Sequence, residues 1–98
     1  MLSYSYIVYI FEKLDGEVLE EIGEKLRTLR KHKKYSQAQL AERIGVSRKH
    51  ISDIEAGRGT TLLIFVKLLK EFNKSEKLLE ILSGSSISPK EKYEREHK

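Results

Sequence analysis

Apolar residues recur along most of this chain at spacings of three and four, which is the period of an amphipathic helix. The clearest case lies early in the chain, where the apolar positions are Leu19, Ile22, Leu26 and Leu29. A second stripe follows further along at Leu62, Phe65, Leu68, Leu69 and Phe72. Strong helix formers (Lys, Glu, Arg and Gln) occupy most of the polar positions. The pattern predicts an all-α domain.

Capping residues and glycines predict where the helices begin and end. The first helix is predicted to start at Asp15, and the residues predicted to cap the later helices are Ser36, Ser47, Thr60 or Thr61, and Ser75. Ser36 and Gln39 have the spacing of a capping box, in which each side chain accepts a hydrogen bond from the other residue's backbone N–H. Gly45 can adopt the left-handed conformation of a turn, so the second helix is predicted at residues 37–44. The third helix is predicted at residues 48–55.

The two ends of the chain differ from the middle. Residues 1–14 combine aromatic and β-branched side chains in loose alternation, which favours a β-strand, while a helix with Tyr6 and Ile10 on one side remains an alternative. A lone strand is unstable, so this N-terminal arm is expected to pack on the domain or on a second copy as a dimerisation strand. Residues 84–98 form a charged tail, leaving residues 15–83 as the folded domain.

Composition narrows the class of protein. The chain has 98 residues, no Cys and a net charge of +4. One domain is expected, without disulfides or thiolate chemistry, in agreement with a cytoplasmic location. A membrane partner is not expected, because no apolar run reaches the roughly 18 residues of a transmembrane helix and the first residues lack the features of a signal peptide.

Positive charge is concentrated in the middle third of the chain. Residues 25–58 carry ten Lys or Arg against three Asp or Glu. A surface that binds phosphates has this character, although a solvated basic face has it too.

Residues 36–56 have the spacing of a helix-turn-helix. Such a crossing needs a small residue where the helices touch, a residue that tolerates positive φ in the turn, and apolar residues on the inner face. Ala41, Gly45 and the pair Ile51 and Ile54 meet these needs. The opposite face of the third helix would then be exposed, and its N-terminal residues could reach base edges in a major groove.

The outer face of the third helix holds the candidate residues for reading double-stranded DNA. Arg48 and Lys49 can each donate to guanine O6 and N7, and Ser52 is small enough to permit close approach. Asp53 can accept from cytosine N4, although phosphates repel a carboxylate. Two further residues, Arg58 and Lys33, either contact phosphates or remain solvated.

Four runs of sequence resemble the Xre/Cro family of bacterial and phage regulators, which includes the lambdoid phage repressors. They are IGEKLRTLR at 22–30, SQAQLA at 36–41, GVS at 45–47 and ISDIEAG at 51–57. The resemblance implies a five-helix, lambda-repressor-like domain that acts as a homodimeric transcriptional repressor on a near-palindromic DNA site.

The resemblance also assigns roles to single residues. It implies that Gln37 touches phosphate and braces Arg48, and that Arg30 pairs with Glu55 in some relatives. The residues that it places against DNA are Ser47, Arg48, Lys49 and Asp53. Lys34 departs from the family, because relatives often have glycine in that turn.

Other functions remain as alternatives. His32, His50 and His97 lie apart from any nucleophile, and the chain has no P-loop, dinucleotide turn or set of metal ligands, so neither catalysis nor a cofactor is expected. A protein-binding module of the same fold would lack the basic residues of the third helix. Ser86–Glu91 resembles the tails of Xre-type antitoxins, which leaves open an autoregulating antitoxin that also binds a toxin protein.

Overall fold

The computed structural model describes residues 14–84, which form five α-helices and no strand. The helices are α1 (Asp15–His32), α2 (Gln37–Ile44), α3 (Arg48–Glu55), α4 (Leu62–Glu71) and α5 (Ser75–Leu82). The predicted all-α, five-helix fold is confirmed. Residues 1–13 of the N-terminal arm, and the tail from residue 85 with its antitoxin-like run, lie outside the described residues.

Local capping determines the ends of the central helices as the sequence predicts. The Ser36 hydroxyl accepts from the Gln39 backbone N–H at 3.0 Å, and the Gln39 side chain accepts from the Ser36 backbone N–H at 2.7 Å. The hydroxyls of Ser47 and Thr61 each accept from the backbone N–H three residues on, at 3.0 and 3.2 Å. Gly45 ends α2 with a φ of 79°.

Two predictions at the edges of helices are wrong. Ser75 does not cap α5 but is its first residue, with Lys74 in the capping position and no side-chain cap. Asn73 adopts a φ of 58°, so the chain turns before it reaches Ser75. Leu62, predicted on the buried stripe of α4, is 74% exposed, because it is the first residue of the helix and lies about one and two-thirds turns before the buried Leu68.

The hydrophobic core lies where α1, α2, α3 and α4 meet. Its buried residues are Leu26, Leu40, Ala41, Ile44, Ile51, Ile54, Leu68 and Phe72. The helix α5 contributes no buried residue, and its Leu79, Ile81 and Leu82 are exposed. Among the described helices, none combines the length and apolar character needed to cross a membrane.

The helix α1 packs directly against the carboxyl end of α3 at Gly23. A Cβ atom at Gly23 would lie 2.4 Å from the carbonyl oxygen of Ile54 and 2.6 Å from that of Glu55. Neither backbone atom can yield easily, so the packing requires glycine at this position. The buried residues of α1 are Gly23, Leu26 and Arg30, which share one helix face. The close approach at Gly23 therefore also brings Arg30 towards α3.

We expect Gly23→Ala to lower the free energy of unfolding by about 1–3 kcal/mol, because α1 must move away from the α3 backbone to admit the methyl group. The matched control is Gly16→Ala in the same helix, where an added Cβ meets no atom within 4 Å. That variant should equal the parent or exceed it by up to about 1 kcal/mol. Urea unfolding followed by circular dichroism measures both, and equal midpoints for the two variants would contradict the packing argument.

Candidate nucleic-acid interface

The helices α2 and α3 form the predicted helix-turn-helix. The carbonyl oxygen of buried Ala41 accepts from the backbone N–H groups of Gly45 and Val46, both at 2.9 Å, which closes the turn. Ile51 and Ile54 face the core and are 1% and 5% exposed. The opposite face of α3 is therefore directed away from the core.

A buried ion pair joins α1 to α3. Arg30 Nε donates to Glu55 Oε2 at 2.7 Å, and Arg30 Nη2 donates to Glu55 Oε1 at 3.1 Å. The remaining nitrogen, Nη1, donates to the carbonyl oxygen of Tyr35 at 2.7 Å, which holds the loop before α2. The side chains of Arg30 and Glu55 are only 9% and 6% exposed. The pair that the family resemblance implies is confirmed.

Gln37 connects this ion pair to the surface of α3. Its Nε2 donates to Glu55 Oε1 at 3.1 Å, and its Oε1 accepts from Arg48 Nη1 at 3.1 Å. A carboxylate can only accept and a guanidinium can only donate, so the two neighbours define the orientation of the amide. Gln37 therefore braces Arg48, as the resemblance implies. We call Arg30, Glu55, Gln37 and Arg48 the polar network.

A second set of charged side chains lies on the outer face of α3. Lys49 Nζ donates to Asp53 Oδ2 at 3.0 Å, and Arg58 Nη1 donates to Asp53 Oδ1 at 2.6 Å. These hydrogen bonds, first from Lys49 and then from Arg58, lower the pKa of Asp53 below its ordinary value. The carboxylate therefore stays ionised at neutral pH. We call these three residues the outer-face cluster.

The remaining candidate residues occupy separate positions. The Ser47 hydroxyl accepts the capping hydrogen bond of α3, and Ser52 is half-buried on the same helix. Lys33 is exposed at the carboxyl end of α1, and within residues 14–84 no hydrogen bond or ion pair joins its side chain to α3. In that same part of the chain, no group of three or more His, Cys, Asp or Glu side chains could hold a metal ion.

Sequence reasoning did not assign three contributions to the geometry of the site. These come from Gly23, from the carbonyl group of Tyr35, and from His50, whose Nε2 lies 2.8 Å from Thr60 Oγ1. An isolated glycine within a helical pattern is a signal of close packing that could have identified Gly23. A main-chain carbonyl belongs to every residue, so the role of Tyr35 leaves no trace in the sequence.

The fold and the exposed face of α3 define a helix-turn-helix domain. The profile of the family described as Helix-turn-helix matches residues 26–79, which is more than half of the chain. The chain therefore belongs to the Xre-like helix-turn-helix family of transcriptional regulators.

The chain is similar to parts of several longer regulators. It is 33% identical over 98 positions to a protein of Methanosphaerula palustris, provisionally named as an HTH-type transcriptional regulatory protein, covering 91% of this chain and 32% of that protein. A protein of the same provisional name from Methanocorpusculum labreanum is 48% identical over 51 residues, covering 52% and 16%. The HTH-type transcriptional activator BcrR of Enterococcus faecalis is 40% identical over 67 residues, covering 68% and 32%. The chain thus spans about a third or less of the length of these relatives. No solved structure matches it significantly.

We expect the Asp53 carboxyl group to titrate below the ordinary aspartate pKa of about 3.9, because Lys49 and Arg58 stabilise its charged form. With a lowered pKa, both ion pairs are complete at neutral pH and are lost only as the pH falls through that lowered value. An NMR titration of the side-chain carboxyl carbon gives the midpoint. It should return to the ordinary range in the double variant Lys49→Met, Arg58→Met, and remain low in the control Lys77→Met. The same midpoint in the parent and the double variant would refute the assignment.

Proposed function

We propose that this chain regulates transcription by binding duplex DNA sequence-specifically, with the outer face of α3 in the major groove. The observation that carries this proposal is the N-terminus of α3, where exposed Arg48 is held by Gln37 through the polar network. A major groove admits one α-helix, and the first residues of that helix reach the base edges. A braced arginine at that end has the position and the charge to donate to a base.

The residues of α3 take distinct roles in this proposal. Arg48 and Lys49 read guanine, whose O6 and N7 atoms accept hydrogen bonds from cationic side chains. Asp53 accepts from the amino group of cytosine, and Ser52 allows the helix to approach closely. Ser47 contacts the DNA beside them at the start of the helix.

Three residues around α3 are proposed to contact the phosphate backbone, namely Gln37, Arg58 and Lys33. Phosphate contacts position a protein on the duplex and contribute affinity without reading sequence. The excess of basic residues in positions 25–58 supports this assignment, because it surrounds the candidate reading helix with positive charge.

We further propose that the chain acts as a homodimeric repressor on a near-palindromic site, with the two α3 helices about 34–36 Å apart. The exposed apolar side chains of Leu79, Ile81 and Leu82 on α5 support dimerisation, because such residues gain stability when a partner covers them. The antitoxin alternative depends on Ser86–Glu91, which lies outside the described residues, so the proposal does not include it.

Arg48→Ala is expected to weaken binding to a selected operator by about 1–3 kcal/mol and to relax preference at one base pair. The reason is the loss of two hydrogen bonds to a guanine. The control Arg27→Ala removes the same charge from an exposed position on α1 and should change binding by less than about 0.5 kcal/mol. Fluorescence anisotropy with the operator and its single-base-pair variants measures both effects. An equal loss on every sequence would reduce Arg48 to a phosphate contact.

Leu82→Glu is expected to weaken dimerisation at least about tenfold, because it would bury a charge without a partner in the proposed interface. The side chain is 74% exposed, so folding of the single subunit should be unaffected. Leu63→Glu introduces the same charge at a leucine on α4 that is 65% exposed, and serves as the control. Sedimentation velocity over a range of concentrations reports the change. A variant that sediments like the parent would exclude α5 from the dimer interface.

A further inference from the structure

The outer-face cluster places one carboxylate between two cations that the proposed function directs at DNA. The side chains of Lys49 and Arg58 are 80% and 70% exposed, whereas that of Asp53 is 24% exposed. Each oxygen of the carboxylate accepts from a different cation, so the negative charge of Asp53 is shared between Lys49 and Arg58. Of the two acidic residues in α3, Glu55 is turned inward against Arg30, which leaves Asp53 as the acid of the outer face.

The pairing of Asp53 with Lys49 and Arg58 changes the interactions that are available to a DNA phosphate. A phosphate that approaches Lys49 or Arg58 must displace a carboxylate already bonded to that cation, and it is also repelled by the carboxylate itself. Exposed ion pairs are weak, so the exchange is possible, but its cost applies to every duplex whatever its sequence. The cost is offset only where a hydrogen-bond donor on a base edge, such as the amino group of cytosine, faces the carboxylate.

We propose that Asp53 is a specificity-determining residue, which lowers affinity for non-cognate DNA by holding Lys49 and Arg58 in ion pairs that phosphates must replace. This inference rests on the proposed function, because it requires α3 to face the duplex. It assigns Asp53 a second action besides contact with a base. The carboxylate reduces the attraction that its two neighbours would otherwise exert on any phosphate backbone.

Asp53→Asn tests the proposal, because it keeps the size of the side chain and removes its charge. The cognate probe is a duplex that the parent protein selects from randomised oligonucleotides, and the non-cognate probe is poly(dA-dT), which contains neither guanine nor cytosine. At about 0.1 M salt, affinity for poly(dA-dT) should rise roughly threefold to tenfold, which is the effect of about one further counterion released per subunit. The plot of log affinity against log salt should steepen by about 0.9 per subunit, and the ratio of cognate to non-cognate affinity should fall at least about threefold.

The control is Glu80→Gln on α5. Glu80 lies 3.9 Å from Lys77 Nζ, so this variant removes the same charge and likewise frees a lysine, but away from α3. Its affinity for poly(dA-dT) and its salt dependence should match those of the parent. An equal rise in both variants would show an effect of net charge alone and would overturn the proposal.

A double-mutant cycle separates action through the two cations from direct repulsion. In a Lys49→Met, Arg58→Met background, Asp53→Asn should raise the affinity for poly(dA-dT) much less than in the parent background, because only the direct repulsion by the carboxylate then remains to be removed. An undiminished rise in that background, or no rise in the parent background, would overturn the proposal. Failure of the proposed function looks different, because the parent protein would then enrich no sequence and would show no salt-dependent binding to either duplex.

Discussion

The buried pair of Arg30 and Glu55 is the interaction on which both the fold and the candidate site depend. The Glu55 carboxylate, at the last residue of α3, accepts from Arg30 on α1 and from Gln37 at the first residue of α2. One carboxylate therefore fixes three helices relative to one another. Because both charges lose water on burial, the intact pair adds little net stability, whereas removing one partner commonly costs about 3–5 kcal/mol. Its contribution is geometric, and the position of Arg48 at the surface follows from it.

The buried face of α1 makes this pairing possible with three different kinds of residue. Gly23 lets the helix touch the α3 backbone, Leu26 enters the hydrophobic core, and Arg30 reaches the carboxylate of Glu55. Spacings of three and four residues place them along one side of the helix. Only one of the three is a large apolar residue, so the hydrophobic pattern by itself describes a minor part of this contact.

The features that the sequence predicts are those determined by neighbouring residues. The capping box of Ser36 and the left-handed turn at Gly45 depend on a few positions along the chain, and both are present. Lys34 has a φ of 60°, a conformation that favours glycine, which agrees with the glycine that the family resemblance implies in this turn. The exposure of Leu62 and the hydrogen bond from Gln37 to Glu55 depend on how separate segments meet, so periodicity and capping do not reveal them. The pair of Arg30 with Glu55 and the bracing of Arg48 by Gln37 were accessible only through the family resemblance.

The exposed face of α3 restrains its long cationic side chains in two different ways. Gln37 holds Arg48 through a neutral amide, which leaves the full charge of the guanidinium available. Asp53 holds Lys49 and Arg58 through a carboxylate, which offsets their attraction for phosphate. Ordering a long side chain costs up to about 2 kcal/mol of rotamer entropy, and both restraints reduce the part that remains to be lost on binding. A neutral acceptor therefore orients a cationic side chain and leaves its attraction for phosphate intact, whereas a carboxylate orients the side chain and weakens that attraction. A face of this kind favours DNA whose base edges satisfy Arg48 and Asp53 over DNA that offers phosphates alone.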